Sequence, residues 1–324
     1  MTVIRHFCPS RARRRISCLA RPLALGAALV LGLMLSAAQS AGRAPLVFVD
    51  VAVEGANGQI VTGLTRDDFE ISTGGSARPI ESFASGSELP LSLVVLFDIS
   101  ASMDSTLKRN VIRSGVEKGF VDRLAPRDRV HVGWFGKQIS IGPPIMGNPR
   151  ALIAAVRRAL DPRDADRLGP SPIWDAVDSA VTALAQADGR RAVLLVTDGR
   201  GTGNRHSPED VAAHAALSGV AVSVLGEDFE MTLRQDGNTG VRVRPGVALR
   251  YLASATGGLY VSDDGAAPAP GPLLVRLLDD LHGRYTLGFA PAVLDGKAHT
   301  LDIKVNRPGV TLRARRTYVA PAQP

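Results

Sequence analysis

A doubly wound, mostly parallel α/β sheet is the fold class that the middle of this 324-residue chain predicts, with a small β domain built from its two flanks. Three observations predict it. From Leu91 onward, continuous apolar runs are each followed by an amphipathic stretch, as expected for strands buried on both faces and the helices that cover them. Before Leu91 and after Arg284, apolar residues alternate with polar ones between Gly, Pro, Asn and Asp turns, which is antiparallel grammar. At about 100 to 200 residues per domain, the length accommodates one large domain or two modest ones.

Residues 1–41 read as a secretory signal. They hold Arg5, Arg11, Arg13, Arg14, Arg15 and Arg21 and no acid, then the apolar run 23–35, then small residues. Signal peptidase accepts small side chains at −1 and −3, which places cleavage after Ala38 or Ser40. The other reading is an uncleaved anchor, because the uncharged run from Pro22 to Gly42 is 21 residues long and can span a bilayer. Either way the chain is exported, to the periplasm or beyond, with no membrane insertion if the signal is removed. Both cysteines, Cys8 and Cys18, lie in this segment, so a processed chain carries no disulfide. Without those six arginines the formal net charge falls from +7 to +1. A near-neutral body with 5% aromatic residues gives nucleic-acid binding little support.

Residues 44–88 form the N-terminal β segment. Residues 46–53 and 59–62 predict a hairpin around the turn at 55–58. Residues 64–71 lead through a short turn into a strand, and another strand lies near 79–83. The α/β domain spans 90–284, with strands predicted at 91–98, 129–135, 192–197, 220–225 and 258–261 and a short edge strand at 138–141. Helices are predicted at 105–124, 149–160, 172–187, 208–218, 247–256 and 270–282. Ser207-Pro208-Glu209-Asp210 shows the start signal well, a capping serine followed by proline at the first helical position. Residues 230–246, with Asp236-Gly237-Asn238 at their centre, read as an inserted hairpin. Strands at 285–289, 300–305 and 310–315 make up the C-terminal β segment, 285–319. It is expected to pack with 44–88, because neither flank alone has the strands to bury a face.

Three strand ends of the α/β block carry oxygen donors, and ligands of open parallel sheets bind in the crevice at those ends. Asp98-Ile99-Ser100-Ala101-Ser102 follows the first strand, and its alternation puts Asp98, Ser100 and Ser102 on one side of a tight turn. Gly169-Pro170-Ser171 precedes the third helix. Thr197-Asp198-Gly199 ends the 192–197 strand. Two carboxylates and three hydroxyls are hard donors that suit Mg²⁺, Mn²⁺ or Ca²⁺, and a set without histidine or cysteine is a poor zinc site. The competing reading is helix capping by Ser102, Asp104 or Ser105, and by Ser171 ahead of its helix.

The Asp-x-Ser-x-Ser run, the glycine-preceded hydroxyl loop and Thr197-Asp198-Gly199, in that order, resemble the metal-ion-dependent adhesion site of von Willebrand factor type A domains. The resemblance covers about residues 90–285. The flanks, at Val61 to Glu70 and Arg307 to Arg315, resemble an exported bacterial subfamily with such a domain. It implies that Asp98, Ser100, Ser102, Ser171 and Asp198 hold a divalent cation, Mg²⁺ first, with Mn²⁺ or Ca²⁺ as alternatives. It also implies a binding module rather than an enzyme, whose protein partner supplies an Asp or Glu carboxylate to the metal. One departure stands out: the family's second loop carries threonine after two glycines, where this chain has Gly169-Pro170-Ser171, and proline stiffens that loop.

Other readings rest on less. A structural scaffold with a vestigial site needs no ligand at all. A metal-dependent hydrolase would draw on His206, the histidine nearest the crevice, but no serine sits in a nucleophile elbow. Gly199-Arg200-Gly201-Thr202-Gly203 lacks the spacing of a dinucleotide loop and reads as a flexible loop. Trp174 reads as a core anchor.

Overall fold

The computed structural model describes residues 45–323 apart from 104–105, 162–168, 236–238 and 264–269. Residues 1–41, read as a signal, the turn of the inserted hairpin and the capping candidates Asp104 and Ser105 lie outside the described residues.

In the N-terminal flank the strands are β1 (Val47–Gly55), β2 (Phe69–Thr73), β3 (Ser76–Arg78) and β4 (Ser82–Ser85). The α/β region contains β5 (Leu91–Asp98), α1 (Thr106–Gly115), β6 (Arg129–Phe135), β7 (Ile139–Ile141), β8 (Ile145–Met146) and α2 (Pro149–Ala159). It continues with α3 (Ile173–Leu184), β9 (Arg190–Val196), α4 (Pro208–Leu217) and β10 (Val220–Glu227). The hairpin β11 (Met231–Gln235) and β12 (Thr239–Val243) interrupts it before α5 (Gly246–Thr256), β13 (Tyr260–Asp263) and α6 (Pro270–His282). The chain ends with β14 (Tyr285–Phe289), β15 (Ala298–Thr300), β16 (Asp302–Val305), β17 (Val310–Arg313) and β18 (Thr317–Val319).

The large sheet runs β13-β10-β9-β5-β6-β7, with β8 also on β6. Pairings are parallel from β13 through to β6, and β7 and β8 are antiparallel to β6. The chain therefore winds outward from β5 on one side, then returns to β9 on the other, and the doubly wound order has its switch point between β5 and β9. β5 explains why its sequence shows no alternation. Leu91, Leu93, Val95 and Phe97 enter the core layer shared with Ile112, Leu152 and the α6 leucines, while Val94 and Leu96 enter the layer shared with α3, α4 and α5. Both faces are covered, so both sets must be apolar.

The predicted helix 105–124 winds in three ways: α1, a π-helical turn at Val116–Phe120 and a 3-10 turn at Val121–Arg123. The change falls where α6 presses closest. A Cβ on Gly115 would collide with the Gly271 backbone, and one on Gly119 would lie 2.7 Å from a Val275 methyl. Absent side chains admit the neighbouring helix, and the wider turn begins at that contact.

In the flanks, β1 pairs with β14 through Val47 to Val51 and with β17 through Ala52 to Gly55, and β4 completes a sheet ordered β17-β1-β14-β4. β2 joins β16 and β3, and β15 joins β18. The hairpin expected between 46–53 and 59–62 reduces to a single bridge, Glu54 to Ile60. The strand expected at 300–305 splits into β15 and β16, which pair with different partners. Long-range partners from the far end of the chain take up the β1 backbone in place of the local turn. Val47, Val49, Val51 and Val53 alternate into a core with Phe69, Tyr285, Leu287 and Phe289. The Tyr285 hydroxyl accepts from Leu64 N (3.0 Å) and donates to Val61 O (2.9 Å), tying the segment after β1 to β14. Buried Asp280 of α6 accepts from Arg284 (2.7 Å) and from Arg313 of β17, which also donates to Glu54 of β1 (2.8 Å). Burial alone would raise the Asp280 carboxyl, but the two guanidinium groups outweigh it and hold the acid below its ordinary range.

Candidate metal centre

Asp98 is the last residue of β5 and is 3% exposed; Asp198 stands two residues beyond β9 and is 1% exposed. Because β5 and β9 are parallel neighbours, the two acids arrive at the same carboxyl edge, at the switch point of the sheet. The turn after β5 folds back on itself. Ser100 N donates to Asp98 Oδ1 (2.9 Å), and the hydroxyls of Ser100 and Ser102 lie 3.2 Å apart. Ser102 sits in a short 3-10 turn, Ala101–Met103, and is exposed where Ser100 is buried. From the second loop, the buried Ser171 hydroxyl donates to Asp98 at 3.3 Å and 3.4 Å. The start of α3 has no side-chain cap, so the Ser171 hydroxyl is directed to the acid rather than to the helix.

Thr197 joins the set although no local pattern marks it: its hydroxyl crosses to the neighbouring strand end, donating to Asp98 Oδ2 at 2.6 Å and accepting from Gly199 N at 3.0 Å. Asp198 Oδ1 accepts from Arg200 N (2.9 Å). Its other oxygen is buried with no hydrogen-bond partner among the described residues, and Arg200 Nε is 3.6 Å away, outside hydrogen-bond reach. Burial pushes the Asp98 carboxyl up, the hydrogen bonds from Ser100 and Thr197 oppose that, and the charge of Asp198 pushes it up further.

The segment from Gly199 to His206, which contains the loop 199–203, makes hydrogen bonds to the second loop and to α3. Thr202 N donates to Ser171 O (2.8 Å), and Ser171 N donates to Thr202 Oγ1 (3.0 Å). Asn204 Oδ1 accepts from Trp174 N (2.7 Å). Buried Asp175 accepts from the backbone of Arg205 (3.0 Å) and of His206 (3.0 Å), and His206 Nδ1 lies 2.8 Å from it. Burial would raise that acid, but the donors of His206 and Arg205 bring it below its ordinary value. Gly203 has φ +71°, and a Cβ there would sit 2.6 Å from Pro170, so the proline of the second loop packs where only glycine fits. Half-buried Trp174 packs against the core layer beneath α3.

Among the described residues no cluster of three or more His, Cys, Asp or Glu side chains could join one metal ion. The donor set at this edge is instead two buried carboxylates beside the hydroxyls of Ser100, Ser102 and Ser171. Asp198 Oδ2 accepts no hydrogen bond among the described residues, with Arg200 Nε at 3.6 Å as its ion pair, and the charge of Asp198 acts on Asp98; two carboxylates beside three hydroxyls fit a hard divalent cation.

A doubly wound sheet closed by an antiparallel edge strand, with an Asp-x-Ser-x-Ser turn after its central strand and a second acid after the adjacent one, decides the fold. The α/β unit has a von Willebrand factor type A-like fold. No family model and no curated relative matches the chain. Similar solved structures include BatB from Bacteroides thetaiotaomicron, 19% identical over 59% of this chain and 97% of that one, with a TM-score of 0.45. A von Willebrand factor type A protein from Catenulispora acidiphila is 12% identical over 86% of this chain and 74% of that one, with a TM-score of 0.45. Proximal thread matrix protein 1 from the mussel byssus, solved with a zinc-occupied MIDAS motif, is 16% identical over 64% of this chain and 48% of that one, with a TM-score of 0.47.

Proposed function

We propose that this chain is an exported binding module that engages an acidic side chain of a protein partner through a divalent cation held by Asp98, Ser100, Ser102, Ser171 and Asp198. The observation that carries this reading is the pair of buried acids at the sheet switch point, with an Asp198 oxygen that accepts no hydrogen bond among the described residues and the Ser171 hydroxyl turned toward Asp98. Neutral serines withdraw little charge from an ion, so a cation bound here, Mg²⁺ first, retains an electrophilic position for an Asp or Glu carboxylate. Thr197 holds the Asp98 carboxylate in place, and the Thr202–Ser171 and Asp175–His206 bonds hold the second and third loops together. We read the chain as a binder rather than an enzyme on the strength of the donor set at the switch point, two acids beside three hydroxyls with no serine in a nucleophile elbow.

The same proposal places a signal in residues 1–41, the binding domain at 90–284, and one β domain in 44–88 together with 285–319. It places the chain in the periplasm or outside the cell. Among the described residues no helix is long and apolar enough to cross a membrane.

Thermal unfolding with and without Mg²⁺, Mn²⁺ or Ca²⁺ tests the site. A cation at about a hundred times its Kd adds about 2.7 kcal/mol to the wild type. Asp98→Ala and Asp198→Ala fold but lose that increment, and they no longer retain acidic peptides in a cation-dependent way. A wild type indifferent to millimolar cation leaves a structural scaffold as the function.

A further inference from the structure

The opposite end of the large sheet holds a second polar feature. A cavity of about 270 Å³ opens where β9 and β10 begin, against β1, β14 and the residues after β17. Arg190, Arg191, Arg284 and Arg315 line it, and Asp50 is its one acid.

Their charges do not balance. Arg284 is paired with Asp280, and the Arg313 that shares this acid is paired with Glu54. Arg190, Arg191 and Arg315 instead donate to main-chain carbonyls: Leu281 and Leu89, Ala185, and Ala216 and Phe48 respectively. A carbonyl satisfies an N–H but cancels no charge. Asp50 accepts from Thr286 Oγ1 (2.6 Å), and Asp128, the next acid toward Arg190, lies 2.8 Å from His282 Nε2. Among the lining side chains, three guanidinium groups with no carboxylate partner of their own thus share one carboxylate, Asp50, and the lining is net positive. Burial and the neighbouring Arg191 push Arg315 down to about 10 against the pull of Asp50, yet it stays protonated at neutral pH. Arg190 and Arg284 are almost fully buried, at 3% and 2% exposed, so the guanidinium groups open to a ligand in the cavity are those of half-buried Arg191 and Arg315, with Arg190 and Arg284 adding charge from behind.

We propose that this cavity binds a phosphate-class dianion, either inorganic phosphate or the phosphoryl end of a phosphomonoester. Negative charge matches the net positive lining, and planar guanidinium forks suit a tetrahedral oxyanion. Exposed Phe48, with Leu89 and Ala221, supplies an apolar wall for an organic substituent. The site is independent of the metal centre, which lies at the other end of β9.

Isothermal titration of the chain with inorganic phosphate and with phenyl phosphate, in chloride buffer of matched ionic strength, tests this. At least one probe binds saturably and is displaced by sulfate. Tighter binding of phenyl phosphate assigns the site to phosphomonoesters, and equal or weaker binding assigns it to free phosphate. Arg191→Gln and Arg315→Gln, both at half-buried positions, each weaken binding on the order of tenfold or more, while Asp98→Ala leaves it unchanged. Absence of saturable binding by the wild type overturns the proposal whether or not the variants fold. Undiminished affinity in both arginine variants overturns it as well.

Discussion

Asp175 shows how one side chain organises a loop that it does not belong to. It lies in the first turn of α3, yet its carboxylate receives two backbone N–H groups from residues 205 and 206. Asp175→Ala leaves those donors without their acceptor, at a cost of about 1–3 kcal/mol. Hydrogen exchange at the Arg205 and His206 amides is the direct readout. Their protection drops while that of β9 is retained; unchanged protection at both amides would show that the loop is held by Thr202 and Asn204 alone. Thr197 is the other residue whose role emerges only in three dimensions, since its 2.6 Å bond crosses from the end of β9 to the end of β5.

At the scale of elements, Asp128 joins three of them. It accepts from Leu91 N at the start of β5 (3.0 Å) and from Ala125 N ahead of β6 (2.8 Å), and it meets His282 at the end of α6 (2.8 Å). Burial raises its carboxyl, but the bonds to His282, Leu91 and Ala125 outweigh that, so the folded value lies below the ordinary 3.8. A folded acid with a depressed value contributes stability in full above its unfolded value, and that contribution is lost as pH falls through the folded one. Asp128→Asn therefore flattens the acid limb of the stability curve below about pH 4, measured by denaturant unfolding from pH 6 down to pH 2.5. A wild-type acid slope preserved in the variant would remove Asp128 from the linkage. Most of these elements are legible in sequence, because β5, β9 and β10 are apolar on both faces and α4 carries its own capping box, Ser207 with Asp210. The helix predicted over 105–124 changes its winding where α6 packs against Gly115 and Gly119.

On the scale of the whole molecule, the ends of the chain share one core. β1 has β14 on one edge and β17 along its second half, and β2 has β16. Removing residues 286–324 strips these partners and leaves Val47, Val49, Val51, Phe69 and Ile71 without their covering strands. Limited proteolysis of that truncation then cuts within 45–88 while the α/β unit persists as a resistant fragment. A truncation in which 45–88 is as resistant as in the full chain would contradict a β domain shared by both ends. The Asp280–Arg284–Arg313–Glu54 chain of ion pairs joins α6 to β17 and β1, so the two parts meet through buried charges as well as apolar packing. Such pairs weigh more in geometry than in net stability, since desolvation offsets much of their attraction.

By itself the sequence determined the parallel sheet, the helices on both of its faces and the strand ends at which acids and hydroxyls cluster. Those features follow from local periodicity and from residues adjacent in the chain, and both are written in order along it. Only the tertiary structure decided that β1 pairs along its length with strands from the far end of the chain and keeps only a single bridge to its own hairpin. It alone set Thr197 on Asp98 and Asp175 on the 205–206 backbone, and it alone gathered four arginines from β9, the start of β14 and the residues after β17 around one cavity. Each of these joins residues about 30 to more than 200 positions apart. No local pattern records such a pairing, because the free energy that selects it comes from burial and charge compensation in the assembled core.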